Sequence, residues 1–271
     1  MKFILNKTQN IFHNKEKVKS LSEFVEAIDK AEDLIDDDGI TDVWFRGNSQ
    51  ISYKLVPNQF RTPCKYSPED ESSSLTQFIH KAKAFINGGR EHSSMWDWII
   101  AAQHYGMSTR LLDWSEGALI ALFFSIENKE SRSPCVWVLN PFKLNELSTG
   151  KELIYYTDKI TRDGDDKQIL AKYKLGSKFL PKHPIAIFPP YIDARLKSQK
   201  GCFTIHGKNK LAIHELNKTS KVPFLVRIDI NPNSIKRIRW QLSVIGINTS
   251  DIYPDLPGLA QQQMWKKSVF E

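Results

Sequence analysis

The sequence predicts an α+β fold: a single domain over residues 1–271 with a mixed or split central sheet flanked by helices. Three observations point there. Helix-period apolar patterns dominate the first half, short β-branched and aromatic runs accumulate in the second, and no Pro/Gly/Ser-rich linker separates the two. Hydrophobic residues make up 41% of the 271, ample for one core.

Residues 1–40 read as a helical N-terminal region. SLSEFVEAIDKAEDLI is amphipathic behind a Ser cap, and Gly39 marks its end, so a helix precedes the first core strand. TDVWFRGNS, from 41 to 49, is a short apolar strand ending in Arg46 and Gly47, the glycine giving the backbone room for a ligand to approach. Pro57, Pro63 and Pro68 then enforce an irregular loop that carries Arg61, a second phosphate-contact candidate beside Arg46. SSSLTQFIHKAKAFI reads as a helix broken by Gly88 and Gly89.

Chemistry concentrates in QHYGMSTRLLDWSEGALIALFF, from 103 to 124. Ser94 followed by Asp97 makes a capping box, and MWDWIIAAQHY runs as a helix up to Gly106. A polar turn spans 104–114, after which Ser115 and Glu116 restart a helix whose GALIALFFSI is apolar almost all round and packs inside the domain. His104, Tyr105, Thr109, Arg110, Asp113 and Trp114 crowd into the turn between buried segments, where polar groups need partners. Two readings stand on pattern alone. Either Arg110 and Asp113 pair to close the turn and His104 bonds a carbonyl, or the turn holds a site.

Further on, CVWVL is a buried strand terminated by Asn140 and Pro141. The polar stretch 148–181, with KITRDGDDKQ as its clearest loop, is expected as an inserted lobe or lid on a core running from 41 to 260. PIAIFPP, CFTIH and VPFLVRIDI give three more strands, and SIKRIRWQLSVIGI and DLPGLAQQQMWKK give later helices.

Composition removes several classes. Cys64, Cys135 and Cys202 are widely spaced, without a C-x-x-C pair, so no metal site is expected and a reducing cytoplasm fits. Cys202 and His206 lie four residues apart along a strand, roughly 13 Å, too far for a nucleophile and base. No apolar run approaches the roughly 20 residues that span a bilayer, and MKFILNKTQN lacks a signal-peptide core, so a soluble chain with no membrane partner is expected. There is no G-x-x-x-x-G-K-S/T, no G-x-G-x-x-G and no H-E-x-x-H. Between Arg195 and Arg239 eleven Lys or Arg face only Glu215 and Asp229, a local +9 that exceeds the whole-chain +7. Such a surface favours RNA or DNA, with Lys236, Arg237 and Arg239 as nucleic-acid contacts, or else serves solubility alone.

The ordered motifs Phe45-Arg46-Gly47, QHYGMSTRLLDWS with ALIALFF, SQKGCFTIH at 198–206 and IYPDLPGLA at 252–260 resemble the FRG domain family, named for its Phe-Arg-Gly triplet. More distantly, an aromatic-Arg-Gly closing a first core strand is similar to the arginine-type ADP-ribosyltransferases. In those enzymes the Arg holds NAD, a Ser/Thr strand end leads into an apolar helix, and a third strand carries a catalytic Glu. The resemblance implies an ADP-ribosyltransferase-like fold, NAD as substrate without a metal, and a toxin or antiviral effector that modifies RNA or DNA, with an antitoxin or regulatory protein as partner. On this reading Arg46 holds the NAD phosphates, Tyr105 or Trp114 stacks the nicotinamide, Gly47, His104, Thr109 and Arg110 complete the pocket, and Asp113 or Gln199 orients ribose or acceptor. One departure is plain: Gln199 and Gly201 stand where a Gln/Glu-x-Glu pair is expected, which moves the acid role to Asp113, with Glu116 and Glu215 in reserve. The rival implication is a non-catalytic FRG module that binds a nucleotide or nucleic acid within a defence or regulatory assembly.

Overall fold

A computed structural model describes residues 1–36, 42–61, 68–82, 84–85, 94–128, 131–158, 164–177 and 179–270. Gly39, Thr41, Pro63, Cys64, Gly88, Gly89 and the KITR of the 159–168 loop lie outside these residues. The strands are β1 (Phe3–Asn6), β2 (Ile11–Asn14), β3 (Trp44–Asn48), β4 (Leu111–Ser115), β5 (Cys135–Leu139), β6 (Tyr155–Tyr156), β7 (Ile185–Phe188), β8 (Gly201–Ile205) and β9 (Leu225–Asp229). The helices are α1 (Leu21–Glu32), α2 (Asn58–Arg61), α3 (Pro68–Ala82), α4 (Met95–His104), α5 (Ala118–Ile126), α6 (Pro141–Thr149), α7 (Gly164–Tyr173), α8 (Ala194–Ser198), α9 (Ile213–Leu216), α10 (Ile235–Val244), α11 (Thr249–Ile252) and α12 (Leu256–Phe270). The strands form one mixed sheet in the order β1-β2-β9-β5-β3-β4-β8-β7-β6, parallel at β2–β9 and β6–β7 and antiparallel elsewhere.

Period-two alternation sends each strand's apolar residues to both faces. Phe45, Val136, Val138, Val226 and Ile228 pack against α1, α5 and α10 on one side, while Trp44, Trp114, Trp137, Leu139 and Leu225 pack on the other. A third cluster joins Trp96 and Ile100 of α4 to Leu111, Ile185, Phe203 and Ile205. Helix starts follow their sequence signals: Ser20 accepts from the Glu23 N–H at the head of α1, and Ser94 and Asp97 close a full capping box on α4.

Three expectations need correction. The N-terminal region is not wholly helical: β1 and β2 form a hairpin, and β2 is secured by β9, where the Asn14 side chain bonds the Asp229 backbone 215 residues away. Four-residue strands held by so distant a partner show no local periodicity. The polar turn of 104–114 contains β4, whose LLDWS is fixed by five pairings with β8. Finally, the described part of 148–181 packs as sheet edge rather than as a separate lobe: β6 pairs with β7, and Tyr155, Leu170 and Tyr173 are buried with Trp96 and Ile185. Among the described residues no helix is long and apolar enough to cross a membrane.

What positions the site is a near-break in the middle of the sheet. β3 makes five pairings with β5 and β4 makes five with β8, yet β3 and β4 meet only at Phe45↔Ser115. Beyond that pair the strands diverge and leave a gap at Arg46, Gly47 and Asn48. α5 lies directly on β3 there, since a Cβ on Gly47 would stand 2.0 Å from the Ala121 carbonyl oxygen and 2.6 Å from the Ser125 nitrogen. Both are backbone atoms and cannot rotate away. Gly47→Ala is therefore expected to destabilise the fold by about 1–3 kcal/mol, read as a lowered melting temperature; a wild-type melting curve would contradict this packing.

Candidate functional site

A cleft of about 430 Å³ fills the gap, lined among others by Arg46, Gly47, Tyr53, Arg61, Gln103, His104, Asp113, Asp193, Arg195 and Gln199. That volume lies in the range of roughly 300–1,000 Å³ usual for small-molecule sites.

Arg46 projects from the middle of β3 with its side chain 17% exposed. Its Nη1 donates to the Asp113 backbone carbonyl and stands 3.7 Å from the Asp113 Oδ2. Its Nε is buried without a hydrogen-bond partner among the described residues. Burial pushes this guanidinium below its ordinary value, Asp113 opposes the shift, and nearby Arg61 reinforces it. Arg61, bonded through Nε to the Val56 carbonyl at 3.0 Å, is shifted the same way by burial, against Asp113 and Tyr53. A largely enclosed Arg46 and an exposed Arg61 thus share one hollow, and an unpaired buried donor such as Arg46 Nε costs about 1–3 kcal/mol, more when charged. Chemically, such an arrangement can donate hydrogen bonds to an anion and offset its charge.

Asp113 is the facing carboxylate, its side chain 57% exposed. Gln103 Nε2 reaches both its oxygens at 3.3 Å, and Gln103 Oε1 accepts from the Thr109 hydroxyl at 2.7 Å, so Thr109 orients Gln103 and Gln103 orients Asp113. On the opposite wall His104 Nδ1 lies 3.2 Å from Asp193 Oδ2, and Asp193 Oδ1 accepts from the Leu196 N–H at 2.7 Å as the N-cap of α8. Burial raises the Asp193 carboxyl, but bonds from His104 and the Leu196 backbone hold it below its ordinary value. Gln199 lines the cleft from the C-cap of α8 rather than from a 199–206 strand, because β8 begins at Gly201 after Lys200 takes φ 45°. Its backbone carbonyl accepts from the Ser115 hydroxyl at 2.7 Å, tying α8 to the end of β4.

Other expected contacts fall elsewhere. Arg110 does not reach the cleft and does not pair with Asp113: fully buried, it bonds Glu71 Oε2 at 2.7 Å, the His206 carbonyl at 2.6 Å and the Tyr173 carbonyl at 2.7 Å. The reason is that Arg110 and Asp113 stand three positions apart, an odd separation that in extended chain puts the two side chains on opposite sides. Thr109 is buried and acts only through Gln103. Trp114 touches the cleft wall, but its ring is buried and its Nε1 donates to Thr204 Oγ1 at 3.1 Å, so it is not free to stack on a nicotinamide. Tyr105 caps α4 as an exposed side chain that does not line the cleft. Neither reserve acid lines it: Glu116 accepts from the Tyr191 hydroxyl, and Glu215 caps α9 through the Ala212 N–H. On α10, Lys236 and Arg237 are exposed, but Arg239 donates to the Glu127 carbonyl and is partly buried, so the basic trio is not one open cluster. Sequence reasoning missed Gln103, Asp193 and Arg195 at this site; only the N-cap pattern of Asp193 ahead of ARLKS carried a signal.

The segment that brings Arg46, Arg61, Gln103, His104 and Asp113 together is also the one with a family match. Residues 41–133 match the FRG domain model. This supports the FRG family, and the match holds β3, α4, β4 and α5 of the FRG segment together with most of the cleft. Rho-related protein racM of Dictyostelium discoideum is 34% identical over 120 residues, 42% of this chain and 58% of that protein. The chain therefore spans less than two thirds of that relative, and it has no G-x-x-x-x-G-K-S/T loop of its own. No solved structure matches.

Two measurements separate the buried network from the cleft. Arg110→Leu removes the ion pair with Glu71 and the bonds to the His206 and Tyr173 carbonyls from a buried site, and is expected to cost about 3–5 kcal/mol in urea unfolding; an unchanged midpoint would mean Arg110 is not structural. His206 gives the pH signature. Burial first, then Arg110, pushes its imidazole down to about 3 from the ordinary 6.5. The unfolded chain then binds a proton that the folded chain refuses, so this contribution to stability is whole above pH 6.5 and is lost as pH falls from there towards 3. His206→Gln should flatten the stability decline between pH 6.5 and 4.5 relative to wild type, and parallel curves would contradict the burial of a neutral ring.

Proposed function

We propose that the FRG cleft binds NAD and that the protein transfers ADP-ribose from it to a nucleic acid. The observation that carries this reading is Arg46: largely enclosed, its buried Nε short of a partner, flanked by Arg61 and facing an exposed carboxylate. A diphosphate meets that demand, accepting from Nε and Nη of Arg46 in the bidentate geometry that only a guanidinium offers, while Arg61 takes a second oxygen. The C1′–nitrogen bond of the ribosyl group then breaks, nicotinamide leaves with the electron pair, and the Asp113 carboxylate stabilises the positive charge developing on the sugar. An acceptor oxygen or nitrogen attacks C1′, and His104, oriented by Asp193, takes its proton. The likeness to arginine-type ADP-ribosyltransferases belongs to the same proposal: β3 bearing Arg46, β4 leading into α5, and β8 fall in the order that resemblance requires.

Exposed Lys236 and Arg237 on α10 support a polyanionic acceptor. Inside a cell such a modification would be damaging, which suits a toxin or antiviral effector held in check by an antitoxin or regulatory protein. One observation favours a non-catalytic module instead: Asp113 is already engaged by Arg46 and Gln103, and β8 supplies no acid.

Incubation with labelled NAD and separate RNA, DNA and protein pools distinguishes the two. Label in RNA or DNA with release of nicotinamide supports transfer; NAD binding without release supports the module. Arg46→Lys is expected to weaken NAD by at least about tenfold in calorimetry with melting unchanged, because the planar fork is lost while the charge stays. Asp113→Asn should retain binding and lose turnover. Full turnover in Asp113→Asn, or undiminished affinity in Arg46→Lys, would remove these residues from the site.

A further inference from the structure

A second hollow, of about 360 Å³, lies on the sheet near the other ends of β3 and β4 and shares no lining residue with the cleft. Its walls include Phe142, Tyr156 and Phe188 together with the fully buried Trp44, and its charged lining residues are Asp42 and Glu116, with no Lys or Arg among the described residues that line it. The rings are inclined rather than stacked. Trp44 and Phe188 stand 6.2 Å apart at 63°, and Tyr156 and Phe188 stand 5.7 Å apart at 33°. The parallel pairing of β6 with β7 sets Tyr156 directly beside Phe188, so the backbone fixes that wall. Tyr191 adds a third inclined neighbour to Phe188 at 6.3 Å and 51°, and its hydroxyl donates to Glu116 Oε2 at 3.0 Å. Burial and the Glu116 carboxylate push the Tyr191 phenol up, so it remains a neutral donor that fixes the carboxylate in place.

We propose that this aromatic and acidic hollow is a binding site for an organic ammonium group, of the quaternary or methylated-lysine kind. Ring faces carry negative quadrupole potential, and the inclined rings of Tyr156 and Phe188, neither of them fully buried, offer more than one face to one cation. The two carboxylates set the sign of the ligand, since an anion would meet repulsion and a neutral apolar group would leave them unused. Neither the rings nor the acids line the cleft: Glu116 lies on the far side of Ser115 from Asp113, and Phe188 and Tyr156 belong to β7 and β6, beyond β8 in the sheet. The site is independent of the NAD reading and would recruit a cationic molecule or a modified protein chain beside it.

Calorimetry on the whole chain tests this with choline, with 3,3-dimethylbutan-1-ol as its uncharged isostere, and with a short peptide carrying trimethyllysine or plain lysine. Choline is expected to bind at least about tenfold more tightly than the isostere, the difference being the cation–ring attraction and the carboxylates. Glu116→Gln and Tyr156→Ala should each weaken choline several-fold without a change in melting temperature, Tyr156 being an exposed side chain. A methylated peptide that binds more tightly than choline and than its unmodified form assigns the site to a protein side chain; choline preferred over both peptides assigns it to a free ammonium compound. Equal affinity for choline and its neutral isostere, or no saturable binding of choline or the methylated peptide at millimolar concentration, overturns the proposal, as does undiminished binding in both folded variants.

Discussion

The cleft depends on how little β3 and β4 touch. A single residue pair, Phe45↔Ser115, joins two well-paired half-sheets, and everything that lines the cleft is arranged around the gap beyond it. Gly47 keeps β3 against α5, because no side chain separates it from the α5 backbone. On the other side β4 stays with β8, and the Ser115 hydroxyl anchors the start of the gap to the Gln199 carbonyl. A sheet paired throughout would have no gap there for Arg46 to open into.

Two arginines within this architecture show what separates a structural cation from one available to a ligand. Arg110 is buried with Glu71 and two carbonyls in reach, so each guanidinium nitrogen has a partner and its charge faces a carboxylate. Arg46 is also largely enclosed, but it has one carbonyl, a carboxylate at 3.7 Å and an unpartnered Nε, with Arg61 adding charge of the same sign. Retaining a buried donor without a partner costs stability, which is the ground on which we propose an anionic ligand for it.

Much of the fold is legible where the signal is local. The caps at Ser20 and Ser94, the apolar α5, and the β-branched runs of β5, β7, β8 and β9 follow from neighbouring residues alone. β2, β4 and β6 do not, because each is held by a partner remote in sequence, and β1 does not, because it is four residues at the sheet edge paired with β2 alone. The site divides in the same way. Phe-Arg-Gly and Asp113 are visible as motif residues, whereas the separation of Arg110 from Asp113 depends on a strand that the polar pattern concealed. Asp193 gains its place only by meeting His104 across the cleft, and Gln103 only by reaching forward to β4. No spacing rule encodes either contact.

The most direct test is a crystal structure of the protein with NAD. The diphosphate is expected on Arg46 Nε and Nη, displacing the contact with the Asp113 carbonyl, with Arg61 on a second phosphate oxygen and the Asp113 carboxylate beside the nicotinamide ribose. NAD bound elsewhere, with Arg46 still on the Asp113 carbonyl and its Nε still without a partner, would contradict the assignment of the β3–β4 gap as the nucleotide site.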